Sequence, residues 1–373
     1  MLNTLVDKLV RRLPIRKRRV LFISYYGSQY GCNPKYISRY LTEAHPGEAE
    51  ITWAFTNPGA YHEIPGIKTV RFGSPAYRLA LATSRVICTN YRMTQDFCKR
   101  PGQTYIQTWH SSLRLKKIEK DTEDTLPPHY VSMARHDSSQ TDMVIAGCRM
   151  SHDTFAHSFW YDGEIMDCGT PRNDILVNPD NELKDRVRRR LQIPPGSHVV
   201  LYAPTFRRDK STEVYNVDFD MLCDSLSRRL GGQWIAVVRL HPHLINCTDF
   251  GHRDGIIDAT TYDDIQELLS VTDALVTDYS SLMFDFGLTG KPVFLYAPDV
   301  ESYCRDERGL YFDVRELPFP LSHSNDELKE TIGVFDDKKY RSHLQELYEA
   351  VGSYEQGTAS KSIGDYILNL LNK

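Results

Sequence analysis

The chain has 373 residues, 41% of them hydrophobic and 25% charged, with a formal net charge of −4. That length suits two domains of common size, and the composition is that of an ordinary globular protein. A balance this close to neutral excludes a whole-molecule polycation. No nucleic-acid partner is expected, and any membrane affinity has to come from a local patch.

Residues 1–19 carry such a patch. Leu2, Leu5, Val6, Leu9, Val10 and Leu13 recur at helical spacing against Lys8, Arg11, Arg12, Arg16, Lys17, Arg18 and Arg19. The pattern predicts a basic amphipathic helix, which can lie on an anionic membrane surface or pack on its own domain. It lacks the long apolar run of a secretory signal. No run of about 18 or more apolar residues follows, so no spanning helix is expected. The eight cysteines form no CxxC pair. They read as reduced thiols of a cytoplasmic protein, without a metal site.

From residue 20 onward, short apolar runs alternate with amphipathic stretches. The runs are 20–23, 86–88, 144–146, 199–202, 234–238, 274–276 and 293–296, bounded by Gly, Pro, Asn and Asp. Continuous runs of this length suit parallel strands covered on both faces. Residues 34–41 read as a helix with Asn33 at the N-cap and Pro34 at the first position; residues 263–269 read as another. The turn 169–174 is followed by a charged helix over 181–191, and Pro194-Pro195-Gly196 precedes a new strand series. The expected fold is α/β, with two doubly wound Rossmann-like domains facing a cleft: residues 20–175 on the acceptor side, and 176–373 binding the donor nucleotide. The final helix, near 361–371, is a candidate to cross back to the first domain. Ligands of such sheets bind beyond the carboxyl ends of the strands.

The chemistry-bearing residues follow the strands. His110 comes just after Tyr105-Ile106, and a strand-end imidazole can take a proton from an incoming hydroxyl; it can equally cap a loop. Lys116 and Lys117 can offset phosphate charge or sit on a solvated helix. Thr205 and Arg207 follow 199–202, where a guanidinium suits bidentate phosphate recognition, unless it is a plain surface arginine. Arg239 and His241 follow 234–238 and add a second strand-end histidine, this one from the other domain. Asp278, Ser280 and Ser281 follow 274–276, with the serines opening a helix whose N-terminus favours an anion. An ordinary serine cap and a turn aspartate are the plainer readings there. Arg308 lies in the polar loop 305–313, and Arg172 and Asn173 in the turn 169–174. Dinucleotide, P-loop, zincin and nucleophile-elbow patterns are absent.

This ordered set resembles the CDP-glycerol glycerophosphotransferase family, the teichoic-acid and capsule primases and polymerases. The resemblance covers 21–314. It is carried by Gly27, Tyr30, Cys32, Asn33, Pro34 and Lys35, by Trp109-His110, by Phe159-Trp160-Tyr161, and by 169–174, 202–207, 239–242, 277–281 and 308–313. It implies a GT-B-like fold, a CDP-glycerol or CDP-ribitol donor, release of CMP, and no cofactor. It also implies a lipid-linked or polymer acceptor and a place at the cytoplasmic face of the membrane. His110 falls on the family's catalytic base and His241 near the donor diphosphate. Thr205, Arg207, Arg239, Asp278, Ser280, Ser281 and Arg308 fall on the donor side. Lys116, Lys117, Arg172 and Asn173 are candidate phosphate or acceptor contacts. Ser111 departs from the family by standing where many members have a glycine. The alternatives are a ribitol-phosphate transferase, which these motifs do not separate, and a nucleotide-sugar glycosyltransferase or epimerase on the same fold.

Overall fold

The computed structural model describes residues 10–207, 213–240, 255–306 and 309–373. They fall into two compact units. The first comprises the described residues up to Ser112, then Ile118–Asp174 and Gly352–Lys373; the second comprises Leu113–Lys117 and Ile175–Val351.

The first unit is built on seven strands: β1 (Arg16–Ile23), β2 (Glu50–Phe55), β3 (Ile67–Arg71), β4 (Ser84–Thr89), β5 (Thr104–Gln107), β6 (Met143–Ala146) and β7 (Glu164–Asp167). All pairings are parallel, in the order β3-β2-β1-β4-β5-β6-β7. Side chains alternate across a strand, so β1 serves two cores. Val20 and Phe22 pack with Ile37, Leu41, Trp53 and Ile363. Leu21 and Ile23 pack with Tyr77, Ile87 and Tyr105 on the opposite face.

The C-terminal helix Ala359–Leu371 joins the first of these cores through Ile363, Ile367 and Leu371, which share one helical face. The carboxylate of Asp174 accepts its first amides, from Ala359 N at 3.0 Å and Ser360 N at 2.7 Å. Burial raises the pKa of that carboxyl against these hydrogen bonds. Residues 352–373 therefore belong to the first unit, and the range 176–373 is too long for the second.

The second unit carries β8 (His198–Tyr202), β9 (Trp234–Val238), β10 (Ile256–Asp258), β11 (Ala274–Thr277), β12 (Val293–Tyr296) and β13 (Leu321–Ser322). Their order, β10-β9-β8-β11-β12-β13, repeats that of the first six strands of the other sheet. Strand order reverses between β1 and β4 in one unit and between β8 and β11 in the other. These reversal points are where doubly wound sheets open a crevice at their carboxyl ends.

Three local expectations are corrected. Arg16–Ile23 is a strand, so Arg16, Lys17, Arg18 and Arg19 do not continue a helix. Arg19 is buried, donating to Thr83 Oγ1 at 2.9 Å and to Glu50 at 2.7 Å. Lys8 and the apolar positions 2, 5, 6 and 9 lie outside the described residues. The helix expected over 34–41 is Cys32–Glu43, with Gly31 at its N-cap. Asn33 is therefore inside the helix, and its side chain is used elsewhere. Lys116 and Lys117 are not helical: Lys116 forms an antiparallel bridge with Leu310, and Lys117 N donates to Gly309 O at 2.8 Å.

Candidate active site

In the first unit the loop after β5 carries His110. Its Nδ1 lies 3.3 Å from the Asn90 carbonyl, in the loop after β4. A carbonyl only accepts, so this bond puts the proton on Nδ1 and leaves Nε2 as the basic nitrogen of the neutral ring. Asn90 also receives Tyr25 N on its Oδ1 at 2.9 Å. One residue thus joins the ends of β1 and β4 and orients the imidazole.

Trp109 precedes the histidine at φ 50°, a left-handed conformation that a bulky side chain adopts only under constraint. The constraint is a set of buried amide hydrogen bonds. Asn33 Nδ2 donates to Thr108 O at 3.1 Å and to Trp109 O at 3.0 Å, and its Oδ1 accepts Arg172 N at 3.1 Å. Gln107 Oε1 accepts Trp109 N at 3.0 Å. Asn33 thereby brings the His110 loop and the turn bearing Arg172 and Asn173 together. Glu355 holds that turn from its other side, accepting from Thr170 N at 3.0 Å and from Asn173 Nδ2 at 3.4 Å. Packing here is close: a Cβ at Gly147 would fall 2.1 Å from Ser112 Oγ.

Beneath Trp109 lies a buried ionic cluster. Arg92 pairs with Glu119 at 3.0 Å and with Asp137 at 3.1 Å, all three buried. Tyr130 OH donates to Glu119 at 2.6 Å and Tyr105 OH to Asp137 at 2.9 Å. Burial raises the pKa of the Asp137 carboxyl in spite of Arg92. The Arg92 guanidinium sits 4.2 Å from the Phe159 ring centre and 5.8 Å from that of Trp109. Phe159 meets Trp109 edge-on at 4.9 Å. This gives the first residue of Phe159-Trp160-Tyr161 a physical role: it wedges the tryptophan against the cluster.

In the second unit the loops after β8 and β11 come together. Asp278 Oδ1 accepts Thr205 N at 2.8 Å and Tyr279 N at 2.6 Å. Arg207 Nη1 lies 2.9 Å from Asp278 Oδ2. Arg207 also forms a two-point pair with Asp299, Nε to Oδ2 at 2.7 Å and Nη2 to Oδ1 at 3.1 Å. Burial opposes the Arg207 charge, but Asp278 and Asp299 outweigh it and hold its pKa above the ordinary value. Ser280 Oγ accepts Leu282 N at 3.3 Å, whereas Ser281 makes no side-chain cap. The helix they open, Leu282–Gly287, is six residues long. Arg239, at the end of β9, braces the chain by donating to Tyr262 O at 3.1 Å and Asp263 O at 3.3 Å. Lys116 Nζ lies 5.1 Å from the Tyr303 ring centre. His241 and Arg308 lie outside the described residues.

The structure adds Asn90, Gln107, Arg92, Asp299 and Glu355 to the expected residues. Asn90 had a legible signal, since it directly follows β4. Asp299 also follows a strand, but its partner Arg207 is 92 residues away, and Glu355, 185 residues from Thr170, had no signal. Among the described residues no His, Cys, Asp or Glu cluster could hold a metal ion, and no helix is long and apolar enough to cross a membrane.

Residues 5–369 match the family model described as CDP-glycerol:poly(glycerophosphate) glycerophosphotransferase. The chain belongs to this family. It is 33% identical over 368 residues to the teichoic acid poly(glycerol phosphate) polymerase of Staphylococcus epidermidis, covering 95% of this chain and 51% of that protein. The chain thus spans about half the length of this relative. It is 32% identical to the teichoic acid glycerol-phosphate transferase of Staphylococcus aureus, covering 95% of this chain and 94% of that one. A solved structure of the wall teichoic acid polymerase TagF, soaked with CDPG, superposes with a TM-score of 0.86 at 30% identity, covering 98% of this chain and 93% of the other. The paired Rossmann-like sheets fit a GT-B-like fold.

Proposed function

We propose that this member of the family transfers glycerol phosphate from CDP-glycerol to a hydroxyl of a lipid-linked or polymer acceptor, releasing CMP, in teichoic-acid synthesis. The observation that carries this reading is the orientation of His110 by the Asn90 carbonyl, in a chain that matches a glycerophosphotransferase model along nearly its whole length. Nε2 of His110 takes the proton of the acceptor hydroxyl. The hydroxyl oxygen forms a bond to the β-phosphorus, which bears glycerol. The bond from that phosphorus to the bridging oxygen breaks, and CMP leaves with the electron pair. Little covalent work falls to the protein; placing the reactants and stabilising charge dominate. Donor contacts are assigned to the second unit at Thr205, Asp278, Ser280 and Ser281, with Arg239 bracing the site and His241 and Arg308 completing it. Lys116, Lys117, Arg172 and Asn173 are assigned to phosphate or acceptor.

The deciding experiment is donor turnover. The full chain, given CDP-glycerol, CDP-ribitol and UDP-sugars with a glycerol-phosphate-primed acceptor, should release CMP fastest from CDP-glycerol. Faster release from CDP-ribitol would replace the polyol, and release of UDP alone would overturn the reaction class.

The same reading places the protein peripherally at the cytoplasmic face of the membrane. Its support is the exposed cationic set Arg11, Arg12, Lys17 and Arg18. Each contributes about 1 kcal/mol near an anionic leaflet, screened by salt. Sedimentation with anionic vesicles should fall sharply in R12E/K17E. Unchanged sedimentation would remove this patch from the account.

A further inference from the structure

Arg207 is the residue whose sequence setting most suggests a phosphate ligand, yet its surroundings oppose that use. Its side chain is 7% exposed. Nε and Nη2 are taken by Asp299, and Nη1 by Asp278 Oδ2 and by Thr205 O at 2.7 Å. Two rings also crowd it from one side: the guanidinium carbon lies 4.9 Å from the Tyr279 ring centre and 5.0 Å from that of Tyr303. One cation between two carboxylates leaves a formal charge of −1 (+1 − 2), which repels an approaching diphosphate.

The same contacts join three strand-end loops. Arg207 lies in the loop after β8, Asp278 opens the loop after β11, and Asp299 lies just past β12. Asp299 Oδ1 also accepts Tyr279 OH at 2.9 Å. The Tyr279 ring stacks on Tyr303 at 3.6 Å. Asp299 thus fixes both the arginine that holds Asp278 and the tyrosine that follows it. Burial alone would raise the pKa of Asp299, but its hydrogen bonds from Arg207 and Tyr279 keep it below the ordinary value. The residues left facing a ligand role are the ones these contacts place: Thr205, whose buried Oγ1 has no hydrogen-bond partner among the described residues, and the serines that follow Tyr279.

We infer that Arg207 and Asp299 are a positioning pair that sets the loop 278–281 for the donor, with Arg207 serving as an internal counter-ion and not as a phosphate ligand. This rests on the reading that the strand-end loops of the second unit hold CDP-glycerol.

The test is calorimetric binding of CDP-glycerol to the full chain as wild type, D299N, R207M/D299L and S280A/S281A, with thermal unfolding of each. D299N keeps the arginine and removes the charge and one of the two acceptors that hold it. A phosphate-gripping Arg207 would then bind CDP-glycerol as well as before or more tightly. A positioning pair instead predicts binding on the order of 10-fold weaker, with the KM for CDP-glycerol raised and the KM for acceptor unchanged. R207M/D299L removes the pair and also leaves buried Asp278 without its cation, so it should bind CDP-glycerol at least as weakly as D299N. Weakening in S280A/S281A without weakening in D299N overturns the pair while keeping the donor assignment. Unchanged binding in both overturns the donor assignment and the pair with it.

Discussion

The loop after β5 in the first unit and the loop after β8 in the second both stand at the carboxyl edge of a doubly wound sheet, but they are held by different forces. Around His110 the restraints are neutral amides: Asn33, Gln107 and the Asn90 carbonyl. Around Arg207 they are charges: Asp278 and Asp299. Neutral hydrogen bonds fix a direction, which a proton acceptor needs. Opposed buried charges fix a distance and resist displacement, which suits loops that must keep a ligand site open. The first unit keeps its own ionic cluster, Arg92 with Glu119 and Asp137, packed against Phe159 and Trp109. Phe159 and Trp109 lie between it and the imidazole.

Removing the group that the first loop presents should have the largest effect. H110Q is expected to lower kcat on the order of 100-fold or more while CDP-glycerol still binds. Near-normal turnover by a folded H110Q protein would end its role as base and, with it, the chemical side of the comparison.

Loosening the neutral restraints should cost less. N33A leaves the Thr108 and Trp109 carbonyls without their amide donor, and lets Trp109 relax from its left-handed conformation. Stability is expected to fall by about 1–3 kcal/mol in urea unfolding, and kcat to fall on the order of 10-fold. A stability loss with unchanged kcat would show that the clamp serves folding alone.

The smallest effect separates the ionic clusters of the two units by pH. The carboxyl of Asp299 is held below its ordinary value, so its contribution to stability is fully present above the unfolded pKa of about 4 and is lost as pH falls through the lower folded value. Asp137 works in the opposite sense: its pKa is raised by burial, so ionising it costs stability as pH rises from about 4 through the folded value. Urea midpoints measured from neutral pH down to about pH 3 should therefore fall less steeply in D299N than in wild type. Parallel curves would mean that Asp299 contributes no pH-dependent stability.

Much of this molecule follows from short-range pattern. The apolar runs that became β1, β4, β6, β8, β9, β11 and β12 are buried central strands, and a strand covered on both faces leaves an unbroken hydrophobic signature. The other strands gave a weaker signal: β3 and β7 are partly exposed, β10 has three residues and β13 two, and β2, though buried, has its apolar run broken by Thr52. Residues placed after strands were also legible, because a parallel sheet puts its ligand edge there whatever the loops contain. His110, Thr205, Arg207 and Asp278 were found that way.

What each residue does at that edge was decided by tertiary structure. Asn33 had the local marks of an N-cap, yet its amide serves a loop 75 residues away. Arg207 had those of a phosphate ligand, yet two carboxylates, 71 and 92 residues further on, neutralise it. The basic positions 16–19 continued a helical pattern, but pairing with β2 and β4 drew them into a strand, where Arg19 found Glu50. The C-terminal helix left its sequence neighbours because its apolar face matches the first core and Asp174 caps its first amides. Sequence by itself determines which segments must be buried and where the strands end, since both depend on neighbours a few residues away. Which donors, acceptors and charges meet is set by folding, because buried polar groups take whichever partner removes the cost of leaving water.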